Sequence, residues 1–355
     1  MAQQLKVGIP KENKPMEGRI ALVPHAVNEL VQQGVPVVVE SGAGKKSGFS
    51  DYEYKQAGAV IADSAQQLYA AVDLIVKVKE PIAQDLALLE SRHLLFCYLH
   101  LAPNPDLAAA LCDIGLTAVA FETVRENGGL PLLAPMSEIA GRVAVQAGAH
   151  LLHSSMGGRG VLLGGVTGTA AGRVVIIGAG VAGQNAAAVA AASGAQVIAF
   201  DRSAEALKSI ERLAPNITGL YAYAGAIEQA LQTADLLVGA VLIPGQKAPH
   251  IVTREMVRKM PRGSVIVDIS VDQGGCIETI RPTDYRDPVY VDEGVLHMGV
   301  TNLPGAVPKT ASEALSGALL PFVGRLAMEG VMAFPALSDG INVSGGKIVL
   351  PALLE

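Results

Sequence analysis

The sequence predicts an α/β chain of two Rossmann-like domains, and three observations point to it. Short apolar runs alternate with helical patterns on both sides of residue 130, as βαβ units around parallel sheets do. A glycine fingerprint, Gly178-x-Gly180-x-x-Gly183, stands between an apolar run and an alanine-rich helix in "VVIIGAGVAGQNAAAVAAASGAQVIAFD". At 355 residues, the chain is also too long for one ordinary core.

The elements follow in order. "KVGIP" reads as a strand, "PHAVNELVQQG" as a helix stopped by Gly34, and "VPVVVES" as a second strand. "SDYEYKQAG" is a helix, "QQLYAAVDLIVKVKEP" a helix then a strand, and "HLLFCYLH" a strand. "NPDLAAALCDIG" and "LTAVAFETV" add another helix–strand pair. Gly128, Gly129, Pro131 and Pro135 break the pattern in "RENGGLPLLAPMSE", and Ser137 is expected to N-cap a long helix. Ile139, Val143, Ala147 and Leu151 give that helix one apolar stripe. "GGRGVLLGGVTGTAAG" reads as a turn or hairpin, after which "VVIIG", "QVIAF", "ADLLVGAV", "SVIVDIS" and "VLHMGV" are strands. A last helix is expected to begin near Ser312, to bend at Pro321 and to cross back to the first domain. The expected domains are therefore 1–130 with 307–355, and 131–306; the final stretch "FPALSDGINVSGGKIVLPALLE" is weakly patterned.

Composition narrows the function classes. Half the residues are apolar and 17% are charged, which allows a large core and argues against disorder. A net charge of −6 with no basic block argues against nucleic acid or an anionic membrane as partner. Mean hydropathy is positive at +0.37, yet Gly, Pro, Asp or Lys breaks every apolar stretch before the ~20 residues of a spanning helix. The N-terminus lacks a signal-peptide pattern. Cys97, Cys112 and Cys276 form no C-x-x-C pair, so neither a disulfide framework nor a metal site is expected. The expectation is a soluble, cytoplasmic α/β enzyme, with oligomerisation a further way to bury surface.

The fingerprint has a definite physics. Gly178 permits the tight turn, Gly180 lets the backbone approach a pyrophosphate, and Gly183 lets the helix pack on the strand. Helix N–H groups and dipole favour the phosphates. Asp201, eighteen residues after Gly183, can accept hydrogen bonds from the ribose hydroxyls and would repel a 2′-phosphate. NAD(H) is expected over NADP(H), although Arg202 pulls the other way.

Chemistry has to come from elsewhere. Arg19, Lys77, Lys79, His100, Asp268, Asp272 and Asn302 stand where strands are expected to end. Singly, each has a bland reading: a surface charge, a structural histidine, a turn-forming acid. Together with "KVGIPKENKPMEGRIALVP", "LIVKVKEP", "LLFCYLHLAP", "LPLLAPMSEIAGR", "GGRGVLLGGV", "GAVLIPG", "VDISVDQGG" and "NLPGAVPKT", they resemble the alanine dehydrogenase family. The likeness extends to the related NAD(H)-binding component of proton-translocating transhydrogenase. It runs from about residue 5 to about residue 325.

The resemblance implies reversible, NAD-dependent oxidative deamination of L-alanine to pyruvate and ammonium by a homohexamer. In each subunit the nucleotide domain is inserted in a discontinuous substrate domain. It assigns Arg19 and Lys79 to the substrate, and His100 and Asp272 to catalysis. It lines the cofactor with Ser137, Val181, Ala182, Asp201, Val241, Leu242, Ile269, Asp272, Arg281, Val300, Asn302 and Leu303, beside the three fingerprint glycines. Ala206 and Ala222 stand where the family pattern has a lysine and a serine, so the resemblance carries no adenosine-side contact onto those two side chains. Two other readings compete: the transhydrogenase component, and an NAD-binding relative without turnover. "LPLLAPMSEIAGR" lacks the Arg-Gln-Asp loop associated with that component, and the chain reaches Glu355 without membrane segments. Retention of Arg19, Lys79, His100 and Asp272 together weighs against lost turnover.

These residue types suit the reaction on their own chemistry. A guanidinium matches a planar carboxylate with two hydrogen bonds. A lysine places charge where a carbonyl oxygen becomes negative. Deamination moves protons on and off nitrogen and oxygen near neutral pH, work suited to a histidine. A carboxylate stabilises the cationic intermediates.

Overall fold

The computed structural model describes residues 4–241 and 248–354. The chain divides into two compact units, Met1–Met136 with Val307–Glu355, and Ser137–Ala306.

The first unit opens with β1 (Val7–Ile9), α1 (Pro24–Gln32), β2 (Val37–Glu40), α2 (Asp51–Gln56), β3 (Val60–Ala62), α3 (Ala65–Ala71), β4 (Leu74–Val76) and α4 (Ala83–Leu86). It continues with β5 (Leu94–Cys97), α5 (Pro105–Ile114) and β6 (Thr117–Ala120). The central strands are continuous apolar runs because helices cover both faces of a parallel sheet. Local signals set the helix ends. Pro24 and Pro105 stand in first turns, where their missing N–H costs nothing, and a Ser50–Glu53 capping box starts α2. Gly115 ends α5 at φ +78°, a left-handed position that favours glycine.

α6 (Ala134–Leu151) follows and buries Ile139, Val143 and Leu151 along the expected stripe, with Ala147 half-buried. Ser137 does not cap it. The helix starts at Ala134, with Pro135 in the first turn, so Ser137 is already helical. The glycine-rich stretch 157–172 forms turns, with no strand pairing.

The second unit then runs through β7 (Arg173–Ile177), α7 (Val181–Ala192), β8 (Gln196–Asp201), α8 (Ala204–Glu211), β9 (Ile217–Tyr221) and α9 (Ala224–Leu231). It closes with β10 (Leu236–Gly239), α10 (Arg254–Arg258), β11 (Val265–Asp268), β12 (Val289–Asp292) and β13 (Val295–Met298). β9 and β12 carry no sequence expectation. β9 exposes most of its residues on an outer edge, and β12 is half-buried and antiparallel, so neither shows the apolar run of a central strand.

α11 (Pro308–Glu329) returns to the first unit. It begins at Pro308, earlier than Ser312, and keeps Pro321 inside its 22 residues. The buried Ser312 and Ser316, one turn apart, use their hydroxyl oxygens to accept the Ile20 and Val23 N–H groups at 2.9 and 3.0 Å. This ties down the segment that carries Arg19. After α12 (Pro335–Ser338), β14 (Ile341–Ser344) and β15 (Lys347–Ile348) form an antiparallel hairpin on β6. Its turn is Gly345–Gly346 at φ +57° and +75°, the left-handed pair that a two-residue hairpin requires. The "SGGK" stretch carried that signal.

Both sheets have the same central order. The first reads β3-β2-β1-β4-β5-β6, extended by β14 and β15; the second reads β9-β8-β7-β10-β11-β13, extended by β12. In each, the strand order reverses direction beside the first strand of the unit, which opens a crevice at the carboxyl ends of the strands.

Candidate active site

In the first unit, Arg19 lies between β1 and α1, Lys79 after β4 and His100 after β5. All three follow carboxyl ends of strands in one sheet. The Arg19 guanidinium is only 3% exposed. Its Nε donates to Glu17 Oε1 at 2.8 Å, its Nη2 to Glu17 Oε2 at 2.6 Å and its Nη1 to Met136 Sδ at 3.2 Å. Glu17 thus closes the Nε–Nη2 side edge of the fork. Burial alone would raise the Glu17 carboxyl, but the hydrogen bonds and charge of Arg19, with Lys79 nearby, bring it down to about 2.

The two lysines of "VKVKEP" part company. Lys77 is buried and pairs with Asp85 at 2.9 Å and Glu12 at 3.8 Å, so its charge is spent on structure. Lys79 is half-buried. Glu80 beside it is buried and bonded to Lys14, while its Oε2 has no hydrogen-bond partner. Burial raises the Glu80 carboxyl, but the Lys14 hydrogen bond and the charges of Lys79, Lys14 and His100 hold it below the ordinary carboxylate value.

His100 sits at φ +47°, a left-handed conformation that side chains other than glycine rarely adopt. A missed residue holds it there. Glu122, in the turn after β6, accepts the His100 N–H at 2.6 Å and the Leu99 N–H at 3.1 Å, and its Oε1 lies 3.9 Å from the imidazole Nδ1. The Asn104 amide donates to the His100 carbonyl at 2.8 Å, and the ring stacks on Tyr98 with centroids 5.9 Å apart. The only sequence signal for Glu122 was an acid at a strand end, the same signal used for Asp201.

In the second unit, the local geometry suits a dinucleotide. Gly178 sits at φ +101°, and a Cβ there would lie 2.6 Å from the Ala240 carbonyl oxygen, at the end of β10. A Cβ on Gly183 would collide with the Gly178 carbonyl, whereas one on Gly180 would enter open space. Two glycines are therefore required by packing, and the third leaves room over the turn. The first turn of α7, from Val181 and Ala182, presents N–H groups to the same side. Gly141 of α6 approaches so closely that a Cβ would strike the Ala182 carbonyl, and Ser137 lies one turn earlier on the same face. Asp201 ends β8; its Oδ2 accepts the Ala179 N–H at 2.7 Å and its Oδ1 the Ser203 N–H at 2.8 Å. It braces the glycine turn and keeps lone pairs for hydroxyl donors.

The remaining residues also follow strand ends. Val241 follows β10 by one intervening residue, and Leu242 lies outside the described residues. Ile269 is half-buried and Asp272 exposed in the 3₁₀ turn Ile269–Gln273 after β11. Asp268 is structural, fully buried and accepting the Ser270 and Cys276 N–H groups at 2.8 Å each. Arg281 places its guanidinium 4.2 Å from the centroid of the Tyr290 ring. Val300 and Leu303 are buried after β13, with Asn302 half-buried between them. Ala206 and Ala222 serve through their backbones: the Ala206 N–H bonds the Ser203 cap, and the Ala222 N–H donates to the Asp201 carbonyl.

Comparison with known proteins adds to this geometry. Residues 8–140 match the family model "Alanine dehydrogenase/PNT, N-terminal domain", and residues 144–351 match "Alanine dehydrogenase/PNT, C-terminal domain". An alanine dehydrogenase of Halomonas elongata is 46% identical, covering 99% of this chain and 96% of the relative. One of Bacillus subtilis is 45% identical over 98% of this chain and 93% of the relative. Among solved structures, an L-alanine dehydrogenase superposes with a TM-score of 0.94 at 48% identity, covering 98% of each chain. A transhydrogenase from Sinorhizobium meliloti reaches 0.84 at 30% identity, covering 98% of this chain and 99% of the other.

Proposed function

The chain belongs to the alanine dehydrogenase/PNT family, and on that premise we propose how its own residues carry out the NAD-dependent oxidative deamination of L-alanine. The observation that supports the assignment best is the shared address of Arg19, Lys79 and His100 beyond the strand ends of one sheet.

Arg19 takes the carboxylate of alanine or pyruvate on its Nη1–Nη2 end, and Glu17 holds the guanidinium from the other side. Lys79 faces the substrate oxygen, where an ammonium stabilises the negative charge that develops in the amination direction. His100 moves protons on and off the substrate nitrogen and oxygen, as general base and then general acid. Glu122 fixes the backbone from which the imidazole projects. Asp272 supplies negative charge for the cationic iminium stage. The glycine turn, Ser137, Asp201, Val241, Leu242, Ile269, Asp272, Arg281, Val300, Asn302 and Leu303 hold NAD, whose bound nicotinamide supplies the hydride acceptor. Asp201 sets the preference for NAD through repulsion of a 2′-phosphate.

We also place the protein in the cytoplasm as a homohexamer, on the strength of the family resemblance. Among the described residues, no helix is long and apolar enough to cross a membrane. Light scattering on the purified protein checks the assembly.

The decisive experiment mixes purified protein with NAD and L-alanine and follows NADH absorbance. Alanine-dependent NADH formation, with ammonium and pyruvate in equal amounts, is the expected result. Hydride exchange between two nicotinamide nucleotides without alanine turnover would favour the transhydrogenase-type reading and overturn this one.

A further inference from the structure

The carboxyl end of β9 carries an exposed aromatic pair that the chemistry above does not use. Tyr221 and Tyr223 are 49% and 70% exposed, with ring centroids 6.1 Å apart and planes inclined at 48°. Their roots are fixed. The Tyr223 N–H donates to the Tyr221 carbonyl at 2.7 Å, and the Tyr223 carbonyl accepts the Ala226 and Ile227 N–H groups at 3.0 Å each, where α9 begins. Both residues are therefore held at the backbone and exposed beyond it, Tyr223 the more so, which leaves aromatic surface for a planar ligand.

Topology says which ligand. Tyr221 is the register partner of Asp201, and the Ala222 N–H donates to the Asp201 carbonyl at 3.1 Å. The sheet runs β7-β8-β9, with the phosphate-binding glycine turn at the end of β7 and the ribose-binding acid at the end of β8. A dinucleotide that follows that line arrives next at the end of β9, and the group attached to its ribose is adenine. Ala206 and Ala222 carry only methyl groups, so neither side chain can hydrogen-bond an adenosine there.

We propose that Tyr223, supported by Tyr221, is the stacking platform for the adenine of NAD. The inference rests on the NAD-binding reading. Base–aromatic stacking accounts for about a tenfold gain in affinity or more, with no need for directional hydrogen bonds.

Direct binding titrations test it without turnover. Wild type, Tyr223→Ala and Tyr223→Phe are titrated with NADH, with ADP-ribose and with reduced nicotinamide mononucleotide, which lacks the adenosine half. Tyr223→Ala should weaken NADH and ADP-ribose about tenfold and leave the mononucleotide unchanged, while Tyr223→Phe stays close to wild type. The exposed position predicts unchanged melting temperatures, so a folding defect would be seen separately. Wild-type affinity for ADP-ribose in Tyr223→Ala, or equal losses in both variants, overturns the stacking role. A wild-type protein that binds neither NADH nor ADP-ribose overturns the underlying nucleotide assignment instead.

Discussion

The Glu122 carboxylate holds His100 in a left-handed turn, accepting its backbone N–H at 2.6 Å while His100 sits at φ +47°. A carboxylate that accepts two adjacent N–H groups can offset the strain of that conformation, of order 1–3 kcal/mol. Glu122→Gln keeps one acceptor oxygen and loses the charge. It should lower kcat about tenfold or more, with KM for alanine changed far less. Equal losses in kcat and thermal stability, or a rise in KM alone, would mean that Glu122 serves the fold rather than His100.

His100→Ala should cut turnover by a factor of about 10²–10⁴, the usual contribution of a general acid–base group. NADH affinity should stay near wild type, because the glycine turn belongs to the other unit. Near-normal steady-state turnover would remove His100 from the mechanism.

Glu17 links the site to stability in acid. Its carboxyl falls from 4.5 to about 2 on folding, so its contribution is full above pH 4.5 and is lost as pH drops from there towards 2. That shift corresponds to about 3 kcal/mol for a buried group. Glu17→Gln removes the carboxylate bonded to the buried Arg19 guanidinium, and should cost a comparable amount at neutral pH while flattening the acid limb of stability against pH. Denaturant titrations from pH 2 to 7 check both outcomes, and an unchanged acid limb would show that other carboxylates set it.

Asp201→Ala should relax the preference for NAD over NADP, because the charge that repels a 2′-phosphate is gone. It should also weaken NADH binding, since the Ala179 N–H of the glycine turn loses its acceptor at 2.7 Å. An unchanged ratio of kcat/KM for the two cofactors would assign selectivity to another group, with the adjacent Arg202 the first to examine.

Legibility in the sequence followed the reach of each interaction. The nucleotide unit could be read because its determinants are local: turn glycines, a helix and an acid all fall between Val174 and Asp201. Lys77 and Lys79 could not be told apart by position, since both follow the same apolar run. Burial beside Asp85 and Glu12 separates them, and those partners come from other parts of the chain. Ser137 was misplaced as a cap because a proline two residues earlier starts the helix as well as a capping serine would. The terminal hairpin passed unnoticed because strand β15 is two residues long, although its Gly-Gly turn was in plain view.

By itself, the sequence determined the alternation of strands and helices, the glycine turn and the family pattern, all set by neighbours within a few residues through backbone sterics and apolar periodicity. Only the tertiary structure decided that Glu122 braces His100 and that Ser312 and Ser316 hold the Arg19 segment from the far end of the chain. The physical reason is range. A hydrogen bond between residues 292 positions apart leaves no periodicity in sequence; it exists only once the sheet and its helices have brought both partners to one place.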